Sequence, residues 1–279
     1  MGARHVDVGG IELWVRDEGV GAPVVLLHGF PETGLAWRHQ VEALRDRHRC
    51  IVPDLRGYGK SAAPKGGYDL PTLTGDIVGL LAALDLDRVA LVGHDWGGVI
   101  ALALARRRPE LVERLVIVNA PVTGAVDPIR AWHTAFFQLP VLPDLFLARR
   151  HARLVKGSFR THCYDPNAVP DDVIAEYQRT FEDPARRTAV LAYYRGLRPW
   201  NAARIMGEGD TPRCPALVIW GAHDHALPVD ITKGVEKALP NLRRFAILPF
   251  AGHFVPEERP EAVSELLTEF LSAEVAVPA

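Results

Sequence analysis

The stretch RVALVGHDWGGVIALALARRRPE, Arg88–Glu110, limits the possible folds more than any other part of the chain. A short apolar run leads into a turn framed by Gly93 and Gly97, and a mostly apolar run with helical character follows. Strand, tight turn and helix in that order make a nucleophile elbow, which presents its middle residue at the tip of a sheet. The usual pattern is Gly-x-Ser-x-Gly. Here Asp95 stands at the tip instead of serine.

The rest of the chain repeats the strand–helix alternation. HVDV, a Gly-Gly turn and IELWVRD read as a hairpin. APVVLLHGF, CIVPDL, RVALVGHD and VERLVIVNAP are near-continuous apolar runs, as expected of strands covered on both faces. AWRHQVEALRD, TLTGDIVGLLAALDL and GGVIALALARRRPE lie between them with helical spacing. From about Val122 to about Arg204 no buried strand is legible, and DDVIAEYQRTFEDPARRTAVLAYYRGL reads as helical. Tyr164, Tyr177, Tyr193 and Tyr194 fall in this stretch. The alternation then resumes with PALVIWGAHD, a helix over ITKGVEKALP, RRFAILPF and a final helix over RPEAVSELLTEFLSAEV. The pattern predicts an α/β fold: a mostly parallel sheet with helices on both faces. The core covers 1–121 and 205–279, and 122–204 is a helical cap inserted over the sheet's C-terminal edge, where open α/β sheets bind ligands.

Bulk properties fit a single core with an inserted cap. The chain has 279 residues, enough for one large α/β domain. Its net charge of −2 gives no reason to expect nucleic acid or a membrane as partner. Cys50, Cys163 and Cys214 lack metal-ligand or CxxC spacing and read as free thiols. The N-terminus has no apolar signal core, and no apolar run is long enough to span a bilayer. A cytoplasmic protein that uses no metal is the expectation, and a homodimer stays open.

Asp95 is the residue to explain. Alone, an Asp in a Gly-rich turn is an ordinary turn residue. As a nucleophile it would need no activating base, because its unperturbed pKa is about 3.9. It suits displacement at saturated carbon, giving an alkyl ester. Hydrolysing that ester needs a water, a base and oxyanion donors. His253, in PFAGHFVPEERPE, lies where the base should be, and Asp224, in WGAHDHALP, lies just beyond the preceding strand to orient it. The order Asp95, Asp224, His253 is nucleophile, acid, base. The expected oxyanion donors are the backbone N–H groups of Trp96 and Phe30. Asn119 occupies the rival position for the acid and cannot be an anion. His94, His223 and His225 read as turn or packing residues.

Five segments carry a family resemblance: HGFPETGLAWRHQ, PDLRGYGKSAAP, GHDWGG, WGAHDHALP and AGHFVPEERPE. Together they resemble the epoxide hydrolases of the α/β-hydrolase fold over nearly the whole chain. Haloalkane and fluoroacetate dehalogenases share that scaffold and an Asp nucleophile. The fluoroacetate enzymes carry arginines at the positions of Trp96 and Val99, and a Trp at the position of Thr134, so they fit poorly. Many haloalkane enzymes have Asn where this chain has Phe30. Trp96 fits them, and Trp132 could serve as a cap halide donor, which makes them the alternative reading. A hydrolase-like binding protein is a third, disfavoured by the complete acid–base pair.

In the epoxide hydrolases two cap tyrosines hold the epoxide oxygen. The resemblance places Tyr194, in AYYRGL, at the second, while Tyr193 points about 100° away on a helix and reads as packing. The first position, in WHTAFFQLP, holds His133. Asp54, Arg56 and Tyr58 read as fixing a loop, and Asp127 as capping the start of the cap. Phe30 and Trp96, with Trp132, Phe136, Phe137 and Phe181 of the cap, make an apolar, aromatic lining. The expected substrate is a small neutral alkyl or aryl epoxide, opened without a cofactor.

Overall fold

A computed structural model describes residues 2–123, 132–197, 205 and 207–273, with the backbone alone at Trp132 and His133. Eight strands form one sheet: β1 (Gly2–Asp7), β2 (Glu12–Glu18), β3 (Ala22–Leu27), β4 (His48–Pro53), β5 (Val89–His94), β6 (Val112–Val118), β7 (Ala216–Gly221) and β8 (Leu242–Leu248). Their spatial order is β1-β2-β4-β3-β5-β6-β7-β8. β1 and β2 pair antiparallel, as do β2 and β4, and every later pair is parallel. The fold is the mostly parallel α/β sheet that the alternating pattern predicts, in the arrangement of an α/β hydrolase that the family resemblance implies.

Each central strand is buried on both faces, which is why its sequence is an unbroken apolar run. In β6, Leu115 and Ile117 face one layer of the core while Val116 and Val118 face the other. The first layer holds α2 (Leu70–Ala83) and α3 (Trp96–Arg107) through Ile77, Leu80, Ile100 and Leu104. The second holds α1 (Arg38–Leu44) and, from the chain's end, α10 (Pro260–Ser272) through Val41, Leu44, Val263 and Leu267. Helices therefore cover both faces.

Between β6 and β7 the chain forms α4 (Trp132–Phe137), α5 (Leu142–His162), α6 (Asp171–Thr180) and α7 (Pro184–Gly196), with no strand among the described residues. Phe137, Phe159, Tyr177 and Tyr194 of these helices join the first core layer. The long helical reading of 171–197 is two helices. Asp183 caps α7 by accepting from the Ala185 N–H at 2.8 Å, and Pro184 takes a position where a helix needs no N–H. A second difference lies after β7. The segment ITKGVEKALP is a short 3-10 turn, Val229–Thr232, followed by α8 (Val235–Ala238). Gly234 between them has φ +86°, a left-handed conformation that stops one helix from running through. Asp127 and Arg204 lie outside the described residues.

Candidate active site

β5 ends in the elbow. Asp95 has φ +49° and ψ −118°, a strained conformation for a residue with a Cβ, worth about 1–3 kcal/mol. The surroundings leave room only for glycine. A Cβ on Gly97 would strike the carbonyls of Leu27 and His28, and one on Gly29 would strike the Asp95 side chain itself. The two strand-end turns after β3 and β5 thus close on each other. Phe30, on the β3 turn, donates its N–H to Asp95 Oδ1 at 2.9 Å. The Trp96 N–H, the other expected donor, makes no hydrogen bond to Asp95 in this structure.

His253 precedes α9 (Val255–Glu258), and Asp224 follows β7. Both are buried and they meet: His253 Nδ1 lies 2.8 Å from Asp224 Oδ2, and Nε2 lies 3.6 Å from Asp95 Oδ2. A carboxylate only accepts, so Nδ1 carries the proton and Nε2 is turned to Asp95. Asp224 is held firmly. Its Oδ1 accepts from the Ala226 and Leu227 N–H groups at 2.8 and 2.7 Å. Its Oδ2 also accepts from Asn119 Nδ2 at 2.6 Å. Asn119, which cannot itself be an anion, therefore donates to Asp224 and helps to orient it.

The loop carrying His253 is tied on three sides. Its N–H donates to the His162 carbonyl at the end of α5, at 2.8 Å. Glu258 accepts from the Gly252 and Tyr164 N–H groups at 3.0 and 2.6 Å. The His253 carbonyl faces His94 Nε2 at 2.9 Å, and His94 Nδ1 lies 2.8 Å from buried Glu32 Oε2. His94 is packing, as read, but packing of a specific kind: it links the β3 turn to the His253 loop. Neither Asn119 nor Glu32 carries a local signal for these roles, since both partners are more than sixty residues away along the chain.

Electrostatics separates Asp95 from His253. Burial pushes the Asp95 carboxyl up, but facing His253, nearby His94 and the Phe30 N–H outweigh it and leave its pKa below the ordinary carboxylate value. Burial pushes the His253 imidazole down, but the carboxylates of Asp224 and Asp95 outweigh that and raise it well above the ordinary histidine value. Asp95 is thus held as an anion and His253 as a cation.

The helices between β6 and β7 supply the facing wall. Tyr194 is buried, with its ring 5.2 Å from Trp96, 5.9 Å from Phe30 and 5.0 Å from Phe137. Burial and the charge of Asp95 raise its hydroxyl well above the usual phenol value, although a hydrogen bond with Trp96 works the other way. It keeps its proton. Phe30 also meets Phe137 and Phe181 at 5.8 and 6.0 Å, and Phe136 is half-buried behind Phe137. Tyr193 points away and donates to the Arg56 carbonyl at 2.8 Å. Arg56 pairs with buried Asp76, and Asp54 accepts from the Gly34 and Lys60 N–H groups at 2.9 Å each, so this loop is fixed as expected. Trp132 and His133 lie on α4, but their side chains are outside the described residues.

A profile described as alpha/beta hydrolase fold matches residues 22–260. The chain is 32% identical to the AB hydrolase superfamily protein YfhM of Bacillus subtilis (strain 168), over 96% of this chain and 97% of that one. It is also 32% identical to Epoxide hydrolase A of Mycobacterium tuberculosis (strain ATCC 25618 / H37Rv), over 98% of each. The chain belongs to the α/β-hydrolase-fold family that includes the epoxide hydrolases. Among solved structures, this family member resembles the epoxide hydrolase CorEH with a TM-score of 0.85 and 29% identity, covering 97% of this chain and 98% of that one. No helix among its described residues is long and apolar enough to cross a membrane.

Proposed function

We propose that the protein is an epoxide hydrolase that works through an ester on Asp95, with residues 122–204 acting as its cap. One observation carries the reading: the elbow presents a carboxylate whose two oxygens are treated differently. Oδ1 takes the Phe30 N–H, and Oδ2 faces His253 Nε2. Oδ2 attacks an epoxide carbon, the carbon–oxygen bond breaks, and the leaving oxygen takes a proton. Tyr194, which keeps its proton and lies opposite the elbow, is the donor, and His133 is proposed as its partner.

The ester then has Oδ1 as its carbonyl oxygen. Alkylation also removes one of the two negative charges that hold the proton on His253. His253 therefore becomes a better base at the stage that needs one. Once its Nε2 proton has passed to the phenolate left on Tyr194, neutral His253 takes a proton from water, and the resulting hydroxide attacks the Asp95 carboxyl carbon. Charge develops on Oδ1, where the Phe30 N–H already points, and Trp96 at the head of α3 can add a second N–H. Collapse releases a vicinal diol and restores the carboxylate. The aromatic wall of Phe30, Trp96, Phe137 and Tyr194, with Phe136 behind it, favours a small neutral alkyl or aryl epoxide, and Trp132 is proposed as a further substrate contact.

The test is intact mass after incubating His253→Gln with styrene oxide and, separately, with a bromoalkane. An adduct of epoxide mass on Asp95 is expected, and Tyr194→Phe should slow its appearance. An adduct from the bromoalkane alone, with halide release by the wild type, would make the protein a dehalogenase. No adduct from either would make it a binding protein.

A further inference from the structure

Nine large apolar side chains are exposed among the described residues, and five of them lie between Leu139 and Phe146: Leu139, Val141, Leu142, Leu145 and Phe146. They form the tip where α4 turns into α5. Val141, the most exposed at 63%, has φ +69°, which β-branched residues avoid. So many apolar groups in so short a segment mark an interaction surface rather than ordinary scatter.

The charge beside the tip is as uneven. The chain has a net charge of −2, yet α5 carries Arg149, Arg150, Arg153, Lys156 and Arg160 against a single acid, Asp144. Lys156 and Arg160 pair with Asp171, and Asp144 pairs with Arg195. Arg149, Arg150 and Arg153 are exposed and make no ion pair or hydrogen bond among the described residues. At 100° per residue, Leu142, Leu145, Phe146 and these three arginines share an arc of roughly 140° on α5. The opposite side of α5 carries Leu147, Val155 and Phe159, which are buried.

We propose that this tip docks on an anionic lipid membrane, with the apolar side chains among the acyl chains and the three arginines at the headgroups. A bilayer surface offers both chemistries at the required spacing, a greasy layer beneath a charged one. A second copy of the chain fits less well. A two-fold interface sets a patch against itself, so the unpaired arginines would meet like charge. The tip also leads inward. Phe146 touches Phe136 at 5.8 Å, Phe136 touches Phe137 at 5.8 Å, and Phe137 touches Tyr194 and Phe30. If the epoxide reading holds, docking brings an apolar substrate from the lipid to this aromatic line; the docking itself does not depend on that reading.

Flotation with vesicles tests it, using phosphatidylcholine alone and an equal mixture of phosphatidylcholine and phosphatidylglycerol. The wild type is expected to float with the mixed vesicles and to come off as salt is added. Each Arg→Gln change at positions 149, 150 and 153 should weaken binding about fivefold. A Leu142→Ser, Leu145→Ser double variant, with an unchanged thermal melt, should also weaken it. Wild type that stays off the mixed vesicles overturns the proposal, and so do arginine and leucine variants that float as the wild type does. A wild-type dimer in sedimentation that the double leucine variant splits would assign the face to a second copy and equally overturn it.

Discussion

His253 stands between two carboxylates, and its protonation is set by both. Burial alone would drive the imidazole to its neutral form, but Asp224 and Asp95 together hold its pKa well above the ordinary value. In the unfolded chain it would titrate near about 6.5. The folded protein therefore keeps a proton that the unfolded chain gives up. The stability this contributes is complete below about pH 6.5 and drains away as pH rises through the folded value. Asp95, whose pKa is depressed, contributes in the opposite sense: its share is present above about pH 3.9 and lost as pH falls. The unfolding free-energy difference between wild type and His253→Gln should accordingly shrink as pH is raised from about 6.5. Chemical denaturation across that range checks it, and a flat difference would show that His253 is neutral in the resting protein.

At the level of elements, the inserted helices are fastened to the core close to the site. Tyr177 of α6 hydrogen-bonds through its hydroxyl to Glu257 of α9, and Arg38 of α1 grips both oxygens of the same carboxylate at 2.7 Å. Glu257 is fully buried, and Phe159 of α5 stacks on the Tyr177 ring at 5.3 Å. A hydrogen bond to a charged, buried acceptor is worth about 1.5–3 kcal/mol. Tyr177→Phe keeps the ring and removes only the hydroxyl, so it should lower stability by about that amount in urea unfolding. No change would mean that Arg38 alone satisfies Glu257. Helix boundaries here were only partly legible in the sequence. Apolar spacing runs straight through FEDP, and Asp183 and Pro184 had to be weighed as a cap to see two helices. ITKGVEKALP carries a helical composition, and the left-handed Gly234 overrides it.

For the molecule as a whole, the sheet was the easiest part to read. Strands buried on both faces must be apolar throughout, so β3 to β7 announce themselves locally. Their C-terminal ends then follow, and with them the positions of Asp95 and Asp224, while His253 lies beyond the more exposed edge strand β8. The network around these residues was not legible, because its partners come from different strand ends. Asn119 reads merely as a side chain that cannot be an anion, yet it hydrogen-bonds Asp224. Glu32 sits in a turn motif whose local sequence says nothing of His94, sixty-two residues on.

That last pair has a consequence for where protons are stored. His94 Nε2 faces a carbonyl and must donate, so a proton also has to lie between Nδ1 and the Glu32 carboxyl. The protein therefore holds two imidazole–carboxyl protons in neighbouring layers, one on His253 and one beneath it. Both are shielded from solvent, so proton NMR should show two far-downfield ring signals. His253→Gln should erase one and leave the other, whereas Glu32→Gln should do the reverse. A single downfield line in the wild type would mean that the inner proton exchanges freely with water, and that the layer under Asp95 is wet.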